Sequence, residues 1–268
     1  MTTQTLTVNG LQLHVSVRGQ GAPLLLLNGL GGLMPTFDPL RDELADYTTL
    51  TLDVPGVGQS QAPRWPLRLP GHAEVIAGML TQLGLEQVDV FGVSWGGALA
   101  QEFALRYPAR VRRLILAATS AGPAMWVKPG DVLDFLGRGS NVKGQPEKGS
   151  RNSLKSLLHF GVTKGMLTAN PGAYYYQLAA LAGWTSLLRL HRLRQPTLIL
   201  AGDRDTLVQP YNARILRRAI KGAEVRVMED EGHFFVVTRA RETAEVVRAF
   251  LCREGGDEAL RGSVFVGG

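Results

Sequence analysis

The chain has 268 residues, 45% hydrophobic and 19% charged, which excludes a disordered chain and allows one sizeable core. Its net charge of +6 invites a nucleic-acid reading, but no dense Lys/Arg run is present, and "VRRLILA" and "ILRRAI" have the pattern of sheet and helix segments, so no nucleic-acid partner is expected. The single cysteine, Cys252, excludes an intrachain disulfide and a cysteine-built zinc site; "MTTQTLTVNG" lacks a basic-then-apolar secretory signal, and no apolar run nears the ~20 residues of a membrane span, so a cytoplasmic protein is expected.

In chain order, "LTVNGLQLHVSVRG" alternates apolar positions around Asn9-Gly10 and predicts a hairpin. "APLLLLNG", "YTTLTLDVPG", "QVDVFGV", "VRRLILAAT", "PTLILAGD" and "AEVRVMED" are short apolar runs of the kind covered on both faces of a sheet. Between them lie helical patterns: "FDPLRDELADY", "HAEVIAGMLTQLG", "GGALAQEFALRYP", "YNARILRRAI" and "RETAEVVRAFLCRE". Strand–helix alternation predicts an α/β fold with a mostly parallel, eight-stranded sheet flanked by helices, its leading hairpin forming the antiparallel edge.

The rhythm breaks between residues 121 and 190, where no strand pattern intervenes and "GRGSNVKGQPEKGS" reads as an exposed loop. This stretch holds eight Lys/Arg against three Asp/Glu, nearly all of the chain's excess charge, and seven aromatics, Trp126, Tyr175 and Trp184 among them. It is expected to be a helical lid inserted in a core made of residues 1–120 and 191–252, with 253–268 as a loosely packed tail.

The chemistry begins at "GVSWGG", a G-x-S-x-G between a strand and a helix. Such a turn strains the backbone at Ser94 and projects its hydroxyl, while Gly92 and Gly96 leave room where side chains would collide. A serine nucleophile needs a base. His14, His72, His159 and His191 fall in the hairpin, at a helix start, or in the lid and its exit, where core or surface roles are expected. His233, in "EDEGHFF", follows the last strand pattern and so belongs at the C-terminal rim of the sheet, where such folds bind ligands.

The preceding strand's loop, "LILAGDRDTLVQP", offers two carboxylates, Asp203 and Asp205, of which Asp205 lies deeper in the loop. The position after "RRLILAAT" has Thr119 and Ser120 and no acid. Backbone amides of Trp95 and Leu30 are the candidate oxyanion donors, with Gly29, Gly31 and Gly32 allowing close approach. "NGLGG" lacks the Lys-Ser/Thr of a phosphate loop, and no His/Asp/Glu group has metal-ligand spacing, so no metal and no cofactor is expected. Serine rather than aspartate at position 94 argues against alkyl-enzyme chemistry.

With these motifs the chain resembles the α/β-hydrolase superfamily over essentially its whole length. Within it, "LDVPGVGQS", "VFGVSWGGALAQEFA", "LILAATSAG", "YYYQLAALAGWTSLLRLHRLRQPTLILAGDRDTLVQP" and "EGHFFVVTRA" resemble intracellular medium-chain-length polyhydroxyalkanoate depolymerases. The resemblance implies an α/β-hydrolase fold with a lid, Ser94 as nucleophile, Asp205 as acid and His233 as base. It implies an aliphatic ester or polyester substrate, 3-hydroxyacid products, an acyl-enzyme, and a storage-granule surface as partner. Asn28, Trp126, Tyr175, Trp184 and Phe234 are candidate substrate contacts. The same triad also serves small-molecule carboxylesterases and lipases, cofactor-free perhydrolases and carbon–carbon hydrolases.

Overall fold

Asn9 and Gly10 both take left-handed backbone, φ 52° and 78°, and this tight turn joins β1 (Thr2–Val8) to β2 (Leu11–Arg18). The computed structural model describes residues 2–122 and 171–253. Beyond the hairpin come β3 (Pro23–Leu27), β4 (Thr48–Leu52), β5 (Val88–Val93), β6 (Val111–Ala117), β7 (Thr197–Gly202) and β8 (Glu224–Met228). They make one sheet in the order β1-β2-β4-β3-β5-β6-β7-β8. Only β2 runs against the rest: it is antiparallel to both β1 and β4, and every later pairing is parallel.

The "PLLLL" run explains the layering. Successive side chains on a strand point to opposite faces. Leu25 and Leu27 enter one core with Val90, Leu114 and Leu116, while Leu24 and Leu26 enter the other with Phe91 and Ile115. Helices α2 (Leu69–Gln82) and α3 (Trp95–Arg106) cover the first face. Helices α1 (Asp38–Glu43) and α6 (Ala240–Leu251) cover the second. Two further helices, α4 (Pro171–Leu181) and α5 (Tyr211–Ala219), complete the described set with short single turns. The "FDPLRDELADY" segment is less helical than its pattern predicts. A tight turn at Met34–Phe37 leads into it, and α1 ends at Glu43 because Leu44 (φ −106°, ψ 37°) leaves helical backbone.

The strand order reverses beside β3. The chain passes from β3 outward to β4, then crosses back to β5 on the other side of β3. The chain leaving β3 therefore runs to α1 on one face of the sheet and the chain leaving β5 to α3 on the other, and such a switch point at the C-terminal rim is the crevice where open α/β sheets take ligands. Among the described residues no helix is long and apolar enough to cross a membrane. Residues 123–170, most of the expected lid, and 254–268, most of the expected tail, lie outside the described residues.

Candidate active site

Ser94 links β5 to α3 with φ 54° and ψ −116°, a conformation that L side chains rarely adopt. Its backbone is pinned from both sides. Its N–H donates to Ala117 O at 2.9 Å, and its carbonyl accepts from Gly97 N at 3.0 Å and from the Thr119 hydroxyl at 2.7 Å. The neighbouring glycines are demanded by space. A Cβ on Gly96 would lie 2.1 Å from Leu27 O, and one on Gly92 would lie 2.4 Å from Gly96 O. The strand, turn and helix can approach this closely only without those side chains.

The base and acid arrive on the loops after β8 and β7. The two loops are laced together: Arg204 N donates to Glu231 O at 3.0 Å, Glu231 N donates to the Asp203 carboxylate at 3.2 Å, and Asp203 N donates to Met228 O at 3.3 Å. Gly202 makes room for this lacing, since a Cβ there would meet Glu231 O at 2.3 Å. Asp203 is thus an exposed brace for the histidine loop. Asp205 is buried; its Oδ1 accepts the N–H groups of Leu207 and Val208 at 2.9 and 2.8 Å.

Asp205 Oδ2 lies 2.8 Å from His233 Nδ1, and His233 Nε2 lies 3.0 Å from Ser94 Oγ. An ionised carboxylate only accepts, so Nδ1 carries the ring proton and Nε2 is left free to accept the Ser94 hydroxyl. The three side chains named from sequence are therefore joined in one hydrogen-bonded chain, across sequence separations of 28 and 139 residues. Phe234 sets its ring edge-on to His233, centroids 5.3 Å apart.

The loop after β3 closes on the same point. A Cβ on Gly29 would stand 3.4 Å from Ser94 Cβ, so this backbone touches the serine. Gly32 N donates to Gly29 O at 3.0 Å, and the buried Asn28 side chain donates to Leu33 O at 2.7 Å. Asn28 thus shapes the loop from beneath. Leu30 sits within this turn, and Trp95 occupies the first position of α3, where a helix leaves N–H groups without intrahelical partners.

Of the remaining candidates, Trp184 and Tyr175 are described. Trp184 packs into the first core and gives its indole N–H to the buried Glu102 at 2.9 Å, where Arg189 also reaches the carboxylate at 2.8 Å. Its contacts are those of an anchor for the chain leaving α4. Tyr175 is exposed on α4, and Trp126 lies outside the described residues.

Three contributors were not singled out from sequence: Thr119, which holds the Ser94 carbonyl; Gln177, described below; and His72. His72 is buried with its ring edge-on to Trp95, centroids 5.2 Å apart, and its Nδ1 has no partner among the described residues. Burial lowers its pKa to about 4, so the ring stays neutral against the indole. Its place at the start of a helix carried no signal of this contact.

The alpha/beta hydrolase fold family matches the chain over residues 22–140 and 164–240. A poly(3-hydroxyalkanoate) depolymerase of Ectopseudomonas oleovorans is 39% identical over 251 residues, 87% of this chain and 85% of its own. Lipase 3 of Moraxella sp. (strain TA144) is 26% identical over 249 residues, 86% of this chain and 77% of its own. Among solved structures, the enol-lactonase of Burkholderia xenovorans LB400 has the same fold: TM-score 0.82 at 22% identity, covering 93% of this chain and 100% of that one.

Proposed function

Because the chain belongs to the α/β-hydrolase family, we propose that it is a serine ester hydrolase of aliphatic esters, and that its substrate is a polyhydroxyalkanoate polyester from which it releases 3-hydroxyacids. The observation that carries this reading is the unbroken path Asp205–His233–Ser94. Such a path removes a proton from a hydroxyl while keeping the resulting imidazolium beside a carboxylate. The 39% identity to a depolymerase directs the choice of substrate.

In this mechanism His233 Nε2 takes the Ser94 proton as Oγ attacks the ester carbonyl. The carbonyl oxygen becomes an alkoxide and rests against the N–H groups of Leu30 and Trp95. The alkoxide collapses, the ester C–O bond breaks, and the departing hydroxyl end of the polymer takes the proton from His233. Water then loses a proton to His233 and attacks the acyl-Ser94 carbonyl. The second alkoxide collapses, Oγ leaves with that proton, and a free 3-hydroxyacid is released. Asp205 holds the ring in the tautomer that both halves need. No step calls for a metal or a cofactor.

The test follows 3-hydroxyoctanoate release from a dispersed medium-chain polyester, beside turnover of p-nitrophenyl octanoate. The proposal requires both activities in the wild type and neither in Ser94→Ala. Turnover of the soluble ester with no acid from the polymer would reassign the protein as a small-ester hydrolase. Equal turnover by Ser94→Ala would remove the serine mechanism altogether.

A further inference from the structure

Gln177 projects from α4 and is 1% exposed. It makes two separate bonds into the crevice. Its side-chain Oε1 accepts the N–H of Gly31 at 2.8 Å, and its main-chain oxygen accepts the indole N–H of Trp95 at 2.9 Å. One residue therefore grips both the loop after β3 and the first residue of α3, the two segments that carry the candidate oxyanion amides.

We propose that Gln177 is a positioning residue for the oxyanion hole, holding the Leu30 amide through Gly31 and the Trp95 amide through the indole. The inference rests on the serine mechanism above. The need for such a grip follows from the loop. Gly29, Gly31 and Gly32 give it freedom that other residues would not, and Gly31 stands at φ 70°. A donor stabilises an alkoxide only when its N–H is held in place before the charge appears. The Gly29–Gly32 turn and the Asn28 side chain brace the loop internally, but neither ties it to the rest of the site. Gln177 supplies that tie. A glutamine suits the position because it offers a neutral acceptor; a carboxylate would set a negative charge beside a forming alkoxide.

On the other side, the Trp95 ring is fixed between the Gln177 carbonyl and the edge contact with His72. The ring so held belongs to the first residue of α3, so its grip also fixes the start of the helix.

The experiment uses the full chain and compares wild type, Gln177→Met, Trp95→Phe and Ser94→Ala. Gln177→Met keeps the length of the side chain and removes the acceptor. Trp95→Phe keeps the Trp95 backbone amide and removes the indole donor. On p-nitrophenyl octanoate, Gln177→Met should lower kcat by about 10- to 100-fold, less than the ~100- to 1000-fold typical of losing one oxyanion donor, with KM within threefold. The Ki of an alkyl boronate, which forms a tetrahedral adduct on serine, should weaken by a similar factor. Trp95→Phe should show the same split more weakly, and decides the matter should Gln177→Met fail to fold.

Wild-type kcat and boronate affinity in a folded Gln177→Met protein would overturn the inference, as would a rise in KM alone. Ser94→Ala separates the two readings. If it is inactive while Gln177→Met is unimpaired, only the positioning role falls. If Ser94→Ala keeps full turnover, the serine mechanism falls and this role with it.

Discussion

The choice between two carboxylates two residues apart turns on their partners. Asp205 is buried, holds two loop amides and faces His233, whereas Asp203 is exposed and holds the Glu231 amide. Asp205→Asn should lower kcat by about 10³–10⁴-fold, because an amide can stabilise the wrong histidine tautomer and no imidazolium. Asp203→Asn should cost less than about tenfold, since an amide oxygen still accepts from Glu231 N; steady-state rates of the two variants decide between them. His72 makes a different prediction. The unfolded chain protonates this ring below its ordinary 6.5, and the folded chain does so only near about 4. The unfolded state thus binds more protons between those values, so stability falls as pH drops through that window, by on the order of 3 kcal/mol in full. His72→Phe should flatten the fall in urea midpoint between pH 7 and pH 4.5 relative to wild type. Ser94, His233 and an acid on the loop after β7 were legible from motif and chain order, and the choice of Asp205 over Asp203 rests on its depth in the loop and on the family resemblance. His72 and Gln177 were not, because their importance lies in contacts made across the fold.

At the scale of elements, the turn between β5 and α3 is held by packing and has no slack. Gly96 faces the carbonyl of Leu27 on the neighbouring strand, so an added methyl must push backbone against backbone. Gly96→Ala should destabilise by about 3 kcal/mol or more, in the range reserved for severe core disruption, as read from the urea denaturation midpoint. Trp184 anchors the segment after α4 on Glu102, whose carboxylate is buried in α3. Trp184→Phe leaves that carboxylate with one partner fewer and should lower stability by about 1.5–3 kcal/mol, with kcat on soluble esters within threefold. The strands could be read from the sequence because continuous apolar runs such as "PLLLL" suit only a sheet covered on both faces. The segment "FDPLRDELADY" misled because its apolar spacing suits a longer helix than its backbone permits at Leu44. Trp184 reads as a candidate substrate contact among the aromatics of its segment, and its bond to Glu102, 82 residues away, depends on a tertiary partner that no local pattern announces.

For the whole molecule, the strand order is what turns scattered residues into a site. The reversal beside β3 opens the crevice, and the loops after β3, β5, β7 and β8 meet at one rim. Alternating strand and helix patterns were enough to foresee that rim and to place Ser94 and His233 on it. The bond from Gly31 to Gln177 spans 146 residues and joins the sheet to the segment that follows residues 123–170, so no local pattern could announce it. The proposed mechanism requires Ser94 to become covalently acylated under the control of His233 and Asp205. Its most direct measurement is treatment of the intact chain with an alkyl fluorophosphonate, followed by peptide mass mapping. A single phosphonyl adduct is expected on the peptide containing Ser94, formed in step with loss of esterase activity and absent from Ser94→Ala. An unlabelled Ser94 in fully inactivated protein, with the adduct on another residue, would contradict it.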